Sequence, residues 1–135
     1  MEVVIIPAHN EEKHISKVIQ KTKEYTKNII VVDDGSTDNT FQEAKNLGVT
    51  ILHHTVNLGK GAALKTGCEY AILNGATTII VMDADGQHDP KEIPLFREHL
   101  KEKDMIFSYR IGKESMPQIL KFGNWFISKD AKTLY

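Results

Sequence analysis

The chain has 135 residues, of which 41% are hydrophobic and 26% charged, and its formal net charge is -1. This length is enough for one domain with its own core and excludes two domains of ordinary size. The charge gives no reason to expect a nucleic acid partner, the single Cys68 allows no internal disulfide, and no run approaches the ~20 apolar residues of a membrane span.

Apolar runs alternate with stretches of helical periodicity along the chain. The predicted strands are residues 2–6, 28–32, 49–53, 78–82 and 104–109. Helices are predicted between successive strands. Their start and stop residues are Asn10 and Tyr25, Asp38 and Gly48, Gly61 and Asn74, and Pro90 and Leu100. A final helix is predicted from Ser115 to Leu134, and it includes Ile127. Pro7 is expected to stop the first strand.

Alternation of helices with strands that are apolar throughout predicts an α/β fold, with a mostly parallel sheet covered on both faces. In such sheets, ligands bind beyond the carboxyl ends of the strands, where strand order reverses. Right-handed crossovers that reverse direction after the third strand place the first strand between the second and the fourth. The segments PAHNEE, DDGSTD and DADGQHD follow these three strands, so they are predicted to line one crevice.

The fourth predicted strand ends in Asp83-Ala84-Asp85-Gly86, a D-x-D motif. Two carboxylates at the mouth of a buried strand repel each other unless a cation lies between them. Oxygen-rich sites of this kind suit magnesium or manganese, whose remaining ligands come from water and substrate phosphates. The alternative is a polar turn in which Asp85 or Asp89 caps the helix that starts near Pro90.

Two further acids are candidates for nucleotide binding. Asp34 follows the second strand, as does the acid that binds ribose in dinucleotide folds, and a fixed carboxylate accepts from ribose hydroxyls or base N–H groups. Glu11 is a candidate for the same role from the first loop, with stabilisation of the helix dipole as the alternative. Gly35 and Asp38 are better explained by turn and cap chemistry.

The basic residues and histidines give weaker indications of function than the acidic residues do. Lys60 lies in N-L-G-K-G, which lacks P-loop spacing, and no G-x-G-x-x-G motif follows the first strand. The six histidines show no metal-ligand spacing, and His88 is of interest only for its place in the acidic loop. Arg110 follows the fifth strand at the same edge as the acids, where pairing with a diphosphate and a salt bridge to the aspartates are equally good interpretations.

Four segments in this order, VIPAHNEE, VVDDGSTDNT, NLGKGAALKTG and MDADGQHDP, resemble the family-2 glycosyltransferases of the GT-A fold. Within that family the chain looks most like the dolichyl- and polyprenyl-phosphate mannose and glucose synthases. The resemblance implies a three-layer, Rossmann-like α/β/α domain over residues 1–135. It also implies inverting transfer of a sugar from a nucleoside diphosphate sugar, such as UDP-glucose or GDP-mannose, to an acceptor such as polyprenyl or dolichyl phosphate.

The resemblance also implies roles for individual residues. Those implied to contact the nucleotide are Pro7, Ala8, His9, Glu11, Val32, Asp34, Asp83, Ala84 and Gln87. Asp85 is implied as a ligand of Mg²⁺ or Mn²⁺, and Gln87 as a further contact to the metal or the diphosphate. Asp85 and Arg110 are the implied catalytic residues, since a divalent metal and an arginine stabilise the charge that develops on the leaving diphosphate.

The sequence departs from the family pattern in two places. Many relatives have tyrosine where His9 stands, and no acidic segment of the T-D-x-x-x-G-F-R type, which supplies acceptor-side residues, occurs before Tyr135. We therefore expect an incomplete domain that binds donor and metal but transfers sugar poorly or not at all. The alternatives are a nucleotide-sugar-binding module without transfer activity and, more distantly, a sugar-phosphate nucleotidyltransferase.

The sequence also gives expectations about cellular location, membrane association and oligomerisation. A lone cysteine and the lack of a signal sequence ahead of the first strand favour the cytoplasm. The segment from Ser115 onward interleaves large apolar residues with lysines, which favours packing on the core over peripheral association with the cytoplasmic face of a membrane. An exposed sheet edge or apolar face is the expected cause of any oligomer.

Overall fold

A computed structural model describes residues 1–100 and the backbone of two short strands further along the chain. The strands are β1 (Glu2–Ala8), β2 (Ile29–Asp34), β3 (Thr50–His54), β4 (Thr78–Val81), β5 (Met105–Ile106) and β6 (Ile127–Ser128). The helices are α1 (Ile15–Lys23), α2 (Thr40–Asn46), α3 (Lys60–Leu73) and α4 (Ile93–His99), and a 3-10 turn (Pro90–Glu92) precedes α4. In this part of the chain no helix has the length and apolar character needed to span a bilayer.

The strands form one sheet in the order β3-β2-β1-β4-β6-β5. The strands β1 to β4 are parallel, and β6 runs antiparallel to both β4 and β5. The predictions of a mostly parallel sheet and of a first strand between the second and the fourth are therefore confirmed. Strand order reverses at β1, which is where a parallel sheet opens a crevice at its carboxyl edge.

Successive residues of β1 face opposite sides of the sheet and contribute to two cores. Val4 and Ile6 pack in the core that α1, α2 and α4 cover, whereas Val3 and Ile5 pack in the core that α3 covers. Helix α3 lies very close to the sheet, because a β-carbon on Gly67 would be 2.7 Å from Cγ2 of Ile5. The three-layer α/β/α arrangement is thus confirmed.

The prediction that Pro7 stops the first strand is wrong, because Pro7 pairs in register with Val32 inside the sheet. Residues two apart in a strand direct their backbone groups to the same neighbouring strand. The carbonyl of Ile5 accepts from the N–H of Met82 on the β4 side (2.9 Å). Pro7 therefore faces the same side, beyond the last residue of β4, where its missing N–H removes no sheet hydrogen bond.

The predicted start of the first helix is also wrong. Helix α1 begins at Ile15 rather than just after Asn10, and no acidic residue lies in its first turn. Asn10 has a φ of 55°, which asparagine tolerates better than most residues, and its N–H donates to Oγ of Ser36 (2.9 Å). Its side-chain oxygen accepts from the N–H of Thr37 (2.9 Å). Asn10 therefore joins the loop after β1 to the loop after β2.

Asp38 lies one residue before the N-cap position of α2 and serves its first turn, as expected of a cap. Its Oδ1 accepts from the N–H of Thr40 (2.9 Å) and from the Thr40 hydroxyl, and its Oδ2 accepts from the N–H of Glu12 (3.1 Å). Burial alone raises the pKa of Asp38, but these hydrogen bonds outweigh it and lower the pKa below the usual 3.8.

The final helix predicted from Ser115 onward is wrong at Ile127–Ser128, which form β6. Ile127 pairs with Ile80 of β4 and with Ile106 of β5. Apolar spacing alone does not distinguish a helix from a short strand, and β6 covers an edge of β4 that would otherwise lie unpaired. The rest of that predicted helix, and the predicted strand 104–109 outside Met105–Ile106, lie outside the described residues.

Candidate functional site

A cleft of about 310 Å³ lies at the carboxyl ends of β1, β2 and β4. Its walls come from the loops that follow these strands, from the loop after β3 and from the start of α3. The residues that line it are Pro7, Ala8, His9, Glu11, Asp34, Asn57, Gly59, Lys60, Ala63, Asp83, Ala84 and Asp85. The predicted convergence of three polar segments on one crevice is therefore confirmed.

Most of the residues predicted to form the site line this cleft, and two of the described ones do not. Val32 is fully buried in the core beneath α3, and Gln87 is exposed but not part of the cleft wall. Arg110 lies outside the described residues. The binding and catalytic roles assigned to all of these residues stay predictions.

Asp34 is the most extensively bonded carboxylate of the cleft. Its Oδ1 accepts from Nδ1 of His54 (2.7 Å) and from the N–H of Leu58 (2.9 Å), and its Oδ2 accepts from the N–H of Gly59 (2.8 Å). Burial alone raises the pKa of Asp34, but these hydrogen bonds outweigh it and hold the pKa below 3.8. Asp34 is therefore a fixed anion that organises the loop after β3.

Two histidines at the end of β3 pair with the two aspartates at the end of β2, and the sequence analysis missed both pairs. His53 stands in register with Asp33, and His54 stands in register with Asp34. In each pair Nδ1 lies 2.7 Å from a carboxylate oxygen. The signal was present in the sequence, because parallel pairing of two strands that end in Asp-Asp and His-His places the side chains side by side.

The loops after β2 and β3 touch through their backbones at Gly35. A β-carbon on Gly35 would lie 2.4 Å from the carbonyl carbon of Val56 and from the nitrogen of Asn57, and the φ of Gly35 is +65°. Both the close approach and the left-handed backbone require glycine. Gly35 therefore sets the position of Asn57 in the cleft wall.

His9 presents its ring to the cleft while its edge is engaged elsewhere. Nδ1 lies 2.8 Å from the carbonyl oxygen of Asp34, and Nε2 lies 3.2 Å from Nδ2 of Asn10. A carbonyl only accepts, so Nδ1 carries the proton, and Nε2 accepts from the amide of Asn10. The ring face, rather than the ring edge, is therefore the part of His9 that suits a ligand.

Glu11 contributes to the cleft from ahead of α1. Its carbonyl accepts from the N–H of Ile15 (2.9 Å), its N–H donates to Oγ1 of Thr40 (2.7 Å), and its Oε2 lies 2.8 Å from Nδ1 of His14. These contacts anchor the loop after β1 on both sides. The carboxylate of Glu11 is thus held at the cleft wall.

Asp83 joins the acidic motif to the glycine-rich loop. Its carboxylate forms an ion pair with Nζ of Lys60 at the start of α3. Its N–H donates to Nδ1 of the buried His88 (2.9 Å), and Nε2 of His88 lies 3.9 Å from the other oxygen of Asp83. His88 therefore supports the turn that carries the D-x-D motif, and the sequence analysis missed Lys60 as a cleft residue because it compared the loop only with P-loop spacing.

Asp85 is oriented by a tight turn, in which its Oδ1 accepts from the N–H of Gln87 (2.8 Å). Asp83 and Asp85 thus place carboxylate oxygens in one cleft, and such oxygens are the kind of ligand that Mg²⁺ and Mn²⁺ prefer. Among residues 1–100, no group of three or more histidine, cysteine or acidic side chains could hold a metal by itself. The donor set fits an ion that takes its remaining ligands from a bound diphosphate and water, and it does not fit a closed structural site.

Together, the reversed strand order and the acidic cleft define a doubly wound α/β protein with a candidate ligand site at the carboxyl edge of the sheet. The sequence profile of Glycosyl transferase family 2 matches residues 3–130, and the chain belongs to this family.

Several relatives are similar over most of the chain. The chain is 50% identical over 132 residues to the uncharacterized protein MJ1222 of Methanocaldococcus jannaschii, and this alignment covers 90% of the chain and 53% of that protein. It is 34% identical over 152 residues to the UDP-N-acetylglucosamine--dolichyl-phosphate N-acetylglucosaminyltransferase of Methanococcus voltae, and this alignment covers 93% of the chain and 59% of that protein. It is 29% identical over 134 residues to the undecaprenyl-phosphate mannosyltransferase of Micrococcus luteus, and this alignment covers 94% of the chain and 53% of that protein. The chain thus spans little more than half the length of these relatives.

Solved structures show the same fold. Glucosyl-3-phosphoglycerate synthase from Mycobacterium tuberculosis, in complex with Mn²⁺, UDP and glucosyl-3-phosphoglycerate, superposes with a TM-score of 0.78 at 21% identity. The superposition covers 99% of this chain and 58% of that one. The likeness establishes the GT-A fold.

Proposed function

We propose that this chain forms the donor-binding part of a metal-dependent, inverting glycosyltransferase. The donor is a nucleoside diphosphate sugar of the UDP-glucose or GDP-mannose type, and the acceptor is a polyprenyl or dolichyl phosphate. The observation that carries the proposal is the single cleft in which Glu11 and Asp34 meet Asp83 and Asp85. The names of the relatives from Methanococcus voltae and Micrococcus luteus support the lipid-phosphate acceptor.

The nucleoside lies against the loops after β1 and β2 in this proposal. Asp34 uses three of about four lone-pair sites of its carboxylate for hydrogen bonds within residues 1–100, so one site on Oδ2 is left for a ribose hydroxyl or a base N–H. The ring face of His9 stacks on the base, since both ring nitrogens already have partners. Glu11 accepts from a second donor group of the nucleoside.

The diphosphate lies near the D-x-D motif and Lys60. Asp85, with Gln87 as a further contact, would hold Mg²⁺ or Mn²⁺, and the bound ion would supply positive charge that stabilises the leaving nucleoside diphosphate. The ammonium group of Lys60 adds a second positive charge from the start of α3, and its ion pair holds Asp83 in place. Arg110 is proposed as a further cation for the same group.

Calorimetric titration of the 135-residue chain tests the proposal. UDP-glucose, UDP-N-acetylglucosamine and GDP-mannose are each titrated with Mn²⁺ and with a chelator. We expect saturable binding of at least one donor, with an affinity at least about tenfold higher with the metal, because the metal neutralises both the acidic motif and the diphosphate. No binding of any donor contradicts the donor site, and equal binding with and without metal contradicts the metal site.

A transfer assay with polyprenyl phosphate separates the transferase from a binding module. Formation of a lipid-linked sugar supports transfer by this chain. Tight, metal-dependent binding without product supports the nucleotide-sugar-binding module. The cytoplasmic location, the membrane association and the oligomeric state stay predictions.

A further inference from the structure

A partly buried histidine lies behind the side of the cleft that carries Asp34. His54 is the last residue of β3, and its side chain is only 11% exposed. Nδ1 lies 2.7 Å from Oδ1 of Asp34, and Nε2 lies 2.9 Å from Oγ1 of Thr66 on α3. His54 is not part of the cleft wall, so any effect on a ligand passes through its neighbours.

The partners of His54 fix the orientation of its ring and select which nitrogen carries the proton when the ring is neutral. An ionised carboxylate only accepts, so Nδ1 of His54 carries a proton and donates it to Asp34. In the neutral ring, Nε2 then accepts from the hydroxyl of Thr66. The ring is thus held at both ends, between the sheet and α3.

The carboxylate that His54 holds also holds the next loop. The same Oδ1 of Asp34 accepts from the N–H of Leu58 (2.9 Å), and Oδ2 accepts from the N–H of Gly59 (2.8 Å). This loop leads into Lys60, which lines the cleft and pairs with Asp83. Turning the Asp34 carboxylate would therefore disturb two parts of the cleft at once.

We propose that His54 is a positioning residue for donor binding, which holds the Asp34 carboxylate toward the nucleoside and, through it, the Leu58–Gly59 segment against the cleft. The inference rests on the proposed function, because it concerns the same donor site. It adds a residue outside the four segments that carry the family resemblance.

The neighbouring pair provides a matched control. His53 makes the same 2.7 Å contact with Asp33, one residue earlier on both strands. Asp33 does not line the cleft, and the side chain of His53 is 43% exposed and packs edge-on against Phe41. A substitution of His53 therefore removes the same kind of hydrogen bond at a place where the nucleotide sugar is not expected to bind.

The first test compares His54→Gln, His54→Asn and His53→Gln by calorimetry with UDP and GDP. Asparagine places an N–H where Nδ1 stands, whereas glutamine places one where Nε2 stands. We expect His54→Gln to weaken nucleotide binding about tenfold, which is the size of one hydrogen bond to a charged group, and His54→Asn to restore it to within about twofold. His53→Gln should bind like the unmodified chain. Unchanged binding by His54→Gln, or equal loss in both His54 variants, overturns the proposal.

A second measurement needs no ligand and separates this proposal from the proposed function. Amide hydrogen exchange of Leu58 and Gly59 reports their bonds to Asp34 directly. We expect exchange about tenfold faster in His54→Gln and unchanged in His54→Asn and His53→Gln. Unchanged exchange in His54→Gln overturns the positioning role. If the unmodified chain binds no nucleotide, the proposed function fails, and the exchange rates still decide whether His54 positions Asp34.

Discussion

A β-carbon on Gly35 would lie 2.4 Å from the backbone nitrogen of Asn57, so the loops after β2 and β3 are in direct backbone contact. Gly35 follows Asp34 in the chain, and Asn57 lines the cleft. The side of the cleft that carries Asp34 and Asn57 therefore depends on a contact that only glycine allows.

Replacement of Gly35 by alanine should destabilise the protein and weaken donor binding. Gly48→Ala is the matched control, because Gly48 has the same φ of +65° but nothing lies within 4 Å of an added β-carbon. We expect Gly48→Ala to lose about 1–2 kcal/mol of unfolding free energy from backbone strain, and Gly35→Ala to lose clearly more because of the added collision. Denaturant unfolding and donor titration measure both effects. Equal losses in the two variants would contradict the role of the close approach.

Replacement of Lys60 by methionine should weaken nucleotide binding. The cleft contains several carboxylates, so loss of the Lys60 ammonium leaves less positive charge to attract a diphosphate. We expect about a tenfold increase in the dissociation constant for UDP or GDP, the size of one charge-assisted hydrogen bond. Lys65→Met is the control, because Lys65 belongs to the same helix, pairs with Glu69 at 3.8 Å and does not line the cleft. A Lys60 variant that binds as well as the Lys65 variant would refute this.

Replacement of Asp85 by asparagine should remove most of the metal dependence of donor binding. Asparagine keeps an oxygen for the Gln87 N–H, so the turn is preserved while the negative charge is lost. We expect the gain in affinity on adding Mn²⁺ to fall from at least about tenfold to less than about twofold. Asp89→Asn serves as control, because Asp89 caps the following turn through Lys91 and lies outside the cleft wall. Undiminished metal dependence in Asp85→Asn would assign the metal elsewhere.

Replacement of Asp38 by asparagine should flatten the loss of stability in acid. The pKa of Asp38 is lowered in the folded state, so the folded protein keeps this carboxylate ionised at pH values where the unfolded chain begins to bind a proton. Its stabilisation is therefore complete above about pH 5 and is lost as the pH falls through the folded-state pKa. We expect Asp38→Asn to lower the melting temperature at pH 7, and we expect this difference from the unmodified chain to shrink as the pH falls below the folded-state pKa of Asp38. A constant difference in melting temperature between the variant and the unmodified chain at all pH values would show that Asp38 contributes no proton linkage.

The parts of the fold that follow from local pattern were predictable. Continuous apolar runs such as Asn28–Val32 identified buried parallel strands, and the handedness of crossovers then placed β1 between β2 and β4. That order alone predicts that Glu11, Asp34 and Asp83 lie at one edge of the sheet, where all three line the cleft. The cleft was predictable because strand ends in a parallel sheet share one edge.

The parts that depend on register and neighbouring strands were not predicted. The pairing of His54 with Asp34 needs the alignment of β2 with β3, which no single segment contains. Pro7 belongs to β1 because β4 ends first, and that too is a property of two strands together. Ile127 shows the same limit, since its helical spacing was outweighed by pairing with β4.

The central position of β1 has a consequence for how the chain folds. Glu2 pairs with Thr78, whereas the other side of β1 pairs with β2, which follows it after a single helix. During synthesis β1 therefore presents an open, apolar edge until β4 emerges from the ribosome. Contacts so distant in sequence slow folding, and an unpaired strand edge invites intermolecular association in the meantime. We expect the nascent chain to be most prone to aggregation, and most dependent on chaperones, between the emergence of β2 and that of β4.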